Sequence, residues 1–569
     1  MGFWTLCRKN TAVLALLFLL LLPAGALAAK VTDLWVTFPT DQPLPSAQKA
    51  KPLNAVNWWY SDQRRTYYLF MPANADMDQL QIWFTGTGTL SVGGRTVVSG
   101  DTADFLVPGE KVTLSEGKNK YALQVMQSAN IPAMFMNTES GSLTYIHKSK
   151  NNEETGSLLM LDAGGAGLYS GGLGQIKGRG NWTFSLAKRP YQIKLERSTD
   201  LCGMGKAKTW ILLANHFDNS LLRNKIVFDL AGAAGLAYSS RSQAVDLYIN
   251  NDYCGSYLLC EKAEIGDSRI DINDLEKATE KVNDAAPETY PSFGRAYQTG
   301  KGKGAQIPND PEDITGGYLL ELEYPDRYKV EASGFITTRG QPVIIKEPKY
   351  ASPAQVEYIR AFMQGFENAI FAKDGIDPAS GKHYSEFVDM DSLAKKYLVE
   401  EITKNFDGNR SSLYYYKPAD GQSKLAFCGP VWDYDIAMGN YATTRNQKVK
   451  NPQYFVTNND QGEHYYWFPA LYKHADFKEA VKKAYYESFV PALDVLLGIT
   501  PSGEGDLRSL DEYASEIWAS ADMNFTRRPI FNSSQAYVKT GRNYAENIEY
   551  VRKFLTERMA FLEESWPQE

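Results

Sequence analysis

The hydrophobic period changes along this chain, and that change confines it to a mixed α+β fold. From Val31 to about Asn130 the apolar residues come in short alternating runs, such as Thr66-Tyr-Tyr-Leu-Phe-Met71, Leu80-Gln-Ile-Trp-Phe84 and Leu90-Ser-Val-Gly-Gly-Arg-Thr-Val-Val98. Alternation sends successive side chains to opposite faces of a strand, and a Gly-Gly pair between two such runs signals a hairpin. Beyond Gly439 the spacing becomes helical, best over Phe477 to Tyr486 and Glu546 to Trp566. Between these limits the two patterns mix. Thr209-Trp-Ile-Leu-Leu-Ala214 reads as a buried strand, and Asp218-Asn-Ser220 supplies caps for a helix over Leu221 to Leu230, stopped by Gly232 and Gly235. Val245 to Leu259 reads as a hairpin turned by Asn250-Asn251-Asp252, and helices follow over Ala354 to Phe371 and Met390 to Thr403. The expected division is a small all-β sandwich domain over 29–130, a second domain over 131–495, and a helical C-terminal extension over 496–569 packed on it. Asp284 to Asp310, rich in Gly, Pro and Lys, reads as a mobile surface insertion.

The stretch richest in chemistry lies inside the second domain. Asn405-Phe-Asp-Gly-Asn-Arg-Ser-Ser-Leu-Tyr-Tyr-Tyr-Lys417 reads as an Asp-bearing loop followed by a strand, and Val431-Trp-Asp-Tyr-Asp-Ile-Ala-Met-Gly439 as a second strand ending in Asp433 and Asp435. A carboxylate loop, a hairpin and a further carboxylate are how phosphoryl-transfer enzymes set a base beside a metal ligand. Upstream, Gly171-Gly-Leu-Gly-Gln-Ile-Lys-Gly-Arg-Gly-Asn181 is dense in glycine and leads into the alternating strand Lys188-Arg-Pro-Tyr-Gln-Ile-Lys-Leu195. Glycines let a backbone approach phosphates closely, and a strand lysine can pair with them.

Other classes are excluded or bounded by composition. The formal net charge of −7 comes without any Lys/Arg block, so no nucleic-acid footprint is expected. The five histidines share no metal-ligand spacing. Arg8 and Lys9, an apolar run from Ala12 to Leu22 and Pro23-Ala-Gly-Ala-Leu-Ala-Ala29 have the order of a signal peptide over 1–28, and the run is too short to span a bilayer. The expectation is an exported protein, secreted or at the cell surface, with no stable membrane span after cleavage. Cys202, Cys254, Cys260 and Cys428 then remain, an even number that permits disulfides without fixing their pairing.

A set of segments resembles the CotH kinase family, atypical protein kinases named for a spore-coat protein. They are Ile176-Lys-Gly-Arg-Gly-Asn181, Lys188-Arg-Pro-Tyr-Gln-Ile-Lys-Leu195, Leu201-Cys-Gly-Met-Gly-Lys206, Trp210-Ile-Leu-Leu-Ala-Asn215, Asp218-Asn-Ser-Leu-Leu-Arg-Asn224, Val245-Asp-Leu-Tyr-Ile-Asn250, Gly255-Ser-Tyr-Leu-Leu259 with Glu261-Lys262, Thr315-Gly-Gly-Tyr318 and Trp432-Asp-Tyr-Asp435. They stand in family order over roughly 131–490, and the first hundred residues after the signal are outside the resemblance. It implies a bilobal protein-kinase-like domain that transfers the γ-phosphate of ATP, with Mg2+ or Mn2+, to Ser or Thr of an exported or surface protein substrate.

By the same resemblance, Asp407 stands as the catalytic base, and Asp433 or Asp435 as the metal ligand, Asp433 coming first after the buried strand. Lys194 occupies the position of the strand lysine that pairs with phosphate, with Lys177 and Arg179 as alternatives in the loop Lys177-Gly178-Arg179-Gly180-Asn181. Glu261 and Lys262 stand where a hinge would meet the adenine. Two departures matter. Ser412 takes the place of the Asn that would be the second metal ligand, and a hydroxyl is shorter and weaker than a carboxamide. The helix after Lys194 carries Asp218, Arg223 and Asp229 but no Glu to pair with it, leaving Glu261 or a different phosphate lysine. The competing expectation is a catalytically weak or inactive relative serving as a surface adhesin.

Overall fold

The computed structural model describes residues 31–45, 51–86, 88–441, 450–457, 465–531 and 540–568, so the expected signal peptide lies outside the described residues. The fold is mixed α+β. Two sheets open it: a three-stranded one ordered Ala55–Asn57, Val31–Thr37, Gln81–Gly86, and a six-stranded one ordered Trp59–Ser61, Thr66–Met71, Asn119–Gln127, Lys111–Glu116, Leu90–Val92, Arg95–Val97. Gly93 and Gly94, at φ +60° and +84°, turn the hairpin that pairs Leu90 with Val97. Left-handed conformation at both central residues matches the twist of the flanking strands, and glycine adopts it without steric cost.

A closed seven-stranded barrel follows. Its strands run in the order Ala133–Thr138, Glu153–Leu161, Gly167–Gly178, Tyr191–Asp200, Lys206–Leu213, Asp252–Glu261, Ser242–Ile249, and parallel pairing of Ala133–Thr138 with Ser242–Ile249 closes it. The first strand is buried on both faces. Met134 and Met136 join the barrel interior with Leu158, Ile193, Trp210 and Leu247, whereas Ala133 and Phe135 face the core of the N-terminal sheets. Its uninterrupted apolar sequence is the consequence. Asn250 and Asn251, at φ +52° and +69°, turn the barrel's last hairpin.

A seven-stranded sheet ordered Ser292–Phe293, Gly302–Ala305, Ser333–Ile336, Pro342–Glu347, Tyr318–Leu322, Leu413–Lys417, Phe427–Cys428 forms the next layer. Two of its strands come from the stretch read as a mobile insertion. The glycines there serve close packing: a Cβ on Gly302 would stand 2.4 Å from Val356 Cγ1, and one on Gly304 2.3 Å from the Ala351 carbonyl oxygen. The helices Pro353–Phe371 and Met390–Thr403 bury their apolar faces in the same large core as Ala475–Ala484 and Tyr544–Ser565.

The C-terminal helices are anchored at two ends. Arg558, fully buried, sends Nη2 to Glu401 Oε1 at 2.7 Å, and that carboxylate also accepts the Val456 and Thr457 amides at 2.7 and 2.6 Å. Trp518–Arg527 lies instead against the barrel, where Asn524 Oδ1 accepts the Ser256 amide at 3.3 Å and Ser520 Oγ donates to Asp246 at 2.7 Å. Cys202, Cys254, Cys260 and Cys428 are all free thiols. No helix among the described residues is long and apolar enough to cross a membrane.

Candidate active site

The Met390–Thr403 helix aims two carboxylate loops at one another. Lys404, at φ +48°, ends it in a left-handed cap. Asn405 then folds back, donating Nδ2 to Glu400 Oε2 at 2.9 Å and accepting the Asp407 amide at 3.3 Å. The other oxygen of Glu400 accepts the Tyr434 hydroxyl at 2.5 Å, and Lys396, beneath both, donates to the same carboxylate and to Tyr434 Oη at 2.8 Å. One buried glutamate thus ties the Asp407 loop to the segment bearing Asp433 and Asp435. Tyr324, which caps the helix Pro325–Val330 just past the sheet strand Tyr318–Leu322, donates its hydroxyl to Asp407 Oδ1 at 2.9 Å.

The acids of these loops repel one another. Burial, and then the charge of Asp433, pushes Asp407 up to about 6. Asp433 is raised by burial, with Glu321 adding to the rise and Arg179 opposing it. Asp435 is raised well above the ordinary carboxylate range, by burial and by the charges of Asp433, Asp218 and Asp407, against the pull of Arg223. Asp433 is nonetheless exposed to solvent. Its φ of +69° and that of Ser412, +56°, are left-handed values that non-glycine residues avoid unless the surroundings hold them.

The donor set fits a hard cation. Crowded carboxylates that raise one another lose that repulsion when a divalent ion sits between them. Among the described residues no three His, Cys, Asp or Glu side chains stand close enough to chelate a metal. Mg2+ and Mn2+ keep waters and take one or two carboxylates together with substrate phosphates. Asp433 and Asp435 would be those two. The Ser412 side chain makes no hydrogen bond among the described residues and is 9 % exposed.

Cations line the opposite side. Arg179 packs over the Trp432 ring, 5.2 Å from its centroid, beside Asp433. Lys177 is lowered by burial, with Glu153 opposing and the charges of Lys349, Lys262 and Arg179 adding to the drop, so the four cations lie near enough to feel one another. Lys262 pairs with Glu264 at 2.9 Å and with Glu347 at 4.0 Å. Burial lifts Glu347 to about 7, and burial with the Glu321 charge lifts Glu323 to about 7 as well.

The remaining site residues divide. Lys194 is exposed on the barrel strand Tyr191–Asp200, opposite Gln175 and Thr209, and makes no hydrogen bond or ion pair among the described residues. Glu261 faces away from it. Its carboxylate is filled by Arg241, at 2.9 Å, and Arg269, at 2.7 Å, on the wall of a cleft of about 240 Å³ that Lys262 also lines. Asn181 accepts Lys150 Nζ at 2.9 Å on the surface. Gly178 leaves room for the Phe184 ring, which a Cβ would meet at 2.4 Å, and Gly180 sits at φ +84°. Both glycines serve the turn.

Tyr324, Glu321, Glu323, Lys349 and Glu400 escaped the reading of the sequence. Glu321 and Glu323 had a signal, two acids at alternate positions closing an apolar strand. Tyr324 directly follows them but carries no pattern that marks it, and Lys349 and Glu400 come from distant segments with no motif of their own. The family model described as CotH kinase protein matches residues 176–562, running through the C-terminal helices. No curated protein matches the chain.

Proposed function

The chain belongs to the CotH kinase family, and from that premise we propose that it transfers the γ-phosphate of ATP to Ser or Thr of exported or surface proteins. The observation that carries this reading is the meeting of Asp407, Asp433 and Asp435, with the Asp433 charge raising both of the others and Arg179 opposing the rise of Asp433. Phosphoryl transfer demands charge neutralisation and alignment rather than a covalent nucleophile, and that is what opposed acids and cations supply. A bound Mg2+ or Mn2+ would neutralise charge developing on the phosphates. Asp433 and Asp435 would hold that ion. Arg179 and Lys177 would bind phosphate oxygens, and Lys262 with Lys349 would add to the positive potential there. Asp407 accepts the proton of the acceptor hydroxyl, and Tyr324 orients its carboxylate.

In this reading the barrel forms one lobe, the seven-stranded sheet and the helices that share its core, Arg223–Ala233 among them, form the other, and the active site lies where the two meet. Residues 29–130 then serve as an attachment module of an exported protein. Incubation with labelled ATP and Mg2+ tests the proposal: the wild type labels itself or a protein acceptor, and Asp407→Ala and Asp433→Ala, though folded, do not. Labelling by both variants at the wild-type level sinks it. Ser412 favours a second reading, a binding protein on the same fold. A thermal shift with ATP and Mg2+ together, but with neither alone, speaks for the enzyme; its absence at millimolar ATP speaks for the adhesin.

A further inference from the structure

Neither Asp433 nor Asp435 has its carboxylate held by a hydrogen bond among the described residues, so the placing of these groups depends on the backbone that carries them. That backbone is gripped from the Arg223–Ala233 helix. Asn224 Oδ1 accepts the amide of Tyr434, the residue between the two acids, at 2.7 Å. Arg223, with no exposed surface, donates Nε to the Ala437 carbonyl at 2.9 Å and Nη2 to the Met438 carbonyl at 3.3 Å. On the same flank Asn440 Nδ2 reaches the Phe217 and Asp435 carbonyls at 2.8 and 2.6 Å. Two adjacent residues of one helix therefore hold the loop immediately before and just after Asp435.

The arrangement is specific in its chemistry. Asp218 satisfies Nη1 of Arg223 and accepts its amide at 2.7 Å, so the counter-ion stays on the helix side and leaves two arms of the guanidinium for the loop. A buried guanidinium is costly unless every arm is used, and a planar fork bridging successive carbonyls is a task that lysine cannot perform. Asn224 is fixed in turn by donating Nδ2 to Asn215 Oδ1 at 3.0 Å. Groups that orient metal ligands without touching the ion are typically worth about ten- to a hundredfold in affinity.

We propose that Arg223 and Asn224 are positioning residues of the phosphoryl-transfer site, a clamp that sets the Asp433 and Asp435 carboxylates for a divalent ion by fixing their backbone. The proposal rests on the kinase reading for its catalytic meaning, and its test is a binding measurement that does not depend on turnover. Mn2+ is titrated calorimetrically into wild type, Arg223→Lys, Asn224→Ala and Asp433→Asn, alongside labelled-ATP kinetics and thermal melts in chelator. Wild type binds Mn2+ and Asp433→Asn does not. Arg223→Lys and Asn224→Ala each bind about tenfold more weakly, and raised Mn2+ restores part of their turnover while the KM for the protein acceptor stays put. Asn224→Ala removes one hydrogen-bond pair and keeps the buried ion pair, so it provides a folded variant if Arg223→Lys melts.

Wild-type Mn2+ affinity in both variants overturns the clamp whatever the catalysis. So does a wild type that binds no Mn2+, or a loss that only follows the unfolded fraction. Absence of phosphotransfer by a wild type that does bind Mn2+ brings down the kinase reading instead, and the clamp is then decided on affinity alone.

Discussion

Tyr324 donates its phenolic hydrogen to the Asp407 carboxylate, Oη to Oδ1, at 2.9 Å. A hydrogen bond to the ionised form favours that form, so this bond pulls against the burial and the Asp433 charge that hold Asp407 up at about 6. Tyr324→Phe removes the donor and leaves the ring. The base must be deprotonated to act, so the rate rises with pH through its pKa, and in the variant this rise moves to higher pH by about one unit. A pH–rate profile of kcat/KM checks it; an unmoved acid limb separates Tyr324 from Asp407.

Arg179 and Lys194 make opposite predictions. Arg179 stands over Trp432 and opposes the charge of Asp433, whereas Lys194 is exposed without an ion pair among the described residues. Arg179→Ala lowers kcat about a hundredfold or more, the scale for losing one fixed stabiliser of transition-state charge. Lys194→Ala stays within about twofold, as an exposed charge without partners is expected to do. Equal losses in the two would return the phosphate contact to the barrel strand.

How much of this was legible in the sequence differs from element to element. The helix over Met390 to Thr403 has the bounds its spacing predicts, and the Gly93-Gly94 and Asn250-Asn251 turns sit where short-range rules put them, because local sterics decide such features. The helix expected from Leu221 starts at Arg223, since Asp218 spends its carboxylate on the Arg223 amide and guanidinium rather than on a simple cap. Lys194 looked like the phosphate lysine by its place in a strand, but alternation sends it to the face opposite Ile193 and Leu195, which fill the barrel. Joining Tyr324 to Asp407 across 83 positions, or Arg223 to Met438 across 215, takes the tertiary fold, which no local pattern encodes.

A buried acid away from the cleft predicts how stability depends on pH. Asp246 has no exposed surface; Tyr253 and Ser520 donate to Oδ1 at 3.0 and 2.7 Å, and Oδ2 accepts no hydrogen bond within 3.5 Å among the described residues. Burial chiefly raises it from 3.8 to about 6. The folded chain therefore binds more protons than the unfolded one between these values, and this group's contribution to stability is present below 3.8 and lost as the pH rises through about 6. Asp246→Asn, which keeps the shape without the charge, is expected to be more stable than wild type above about pH 6 by about 1–3 kcal/mol. The gain shrinks toward pH 4 in denaturant titrations run across that window. A constant difference at every pH would mean that folding leaves the Asp246 carboxyl at its ordinary pKa.

Ser412 is where the chain departs most from the expected metal site, and its backbone says what would mend it. At φ +56° it occupies a left-handed conformation that costs a serine more than an asparagine, whose side chain can bond locally to its own backbone. Its hydroxyl makes no hydrogen bond among the described residues, so the replacement sacrifices no contact. Asn also reaches farther than Ser and presents a carboxamide oxygen suited to a hard cation. Ser412→Asn is therefore expected to raise the melting temperature by about 1–3 °C through the relieved strain. It also raises turnover several-fold at limiting Mg2+, with little change at saturation. The paired measurement separates the two effects: a melting shift without a change in metal dependence would assign Ser412 to the backbone turn alone, and a loss of turnover would mean the longer side chain obstructs the space between Asp407 and Asp433.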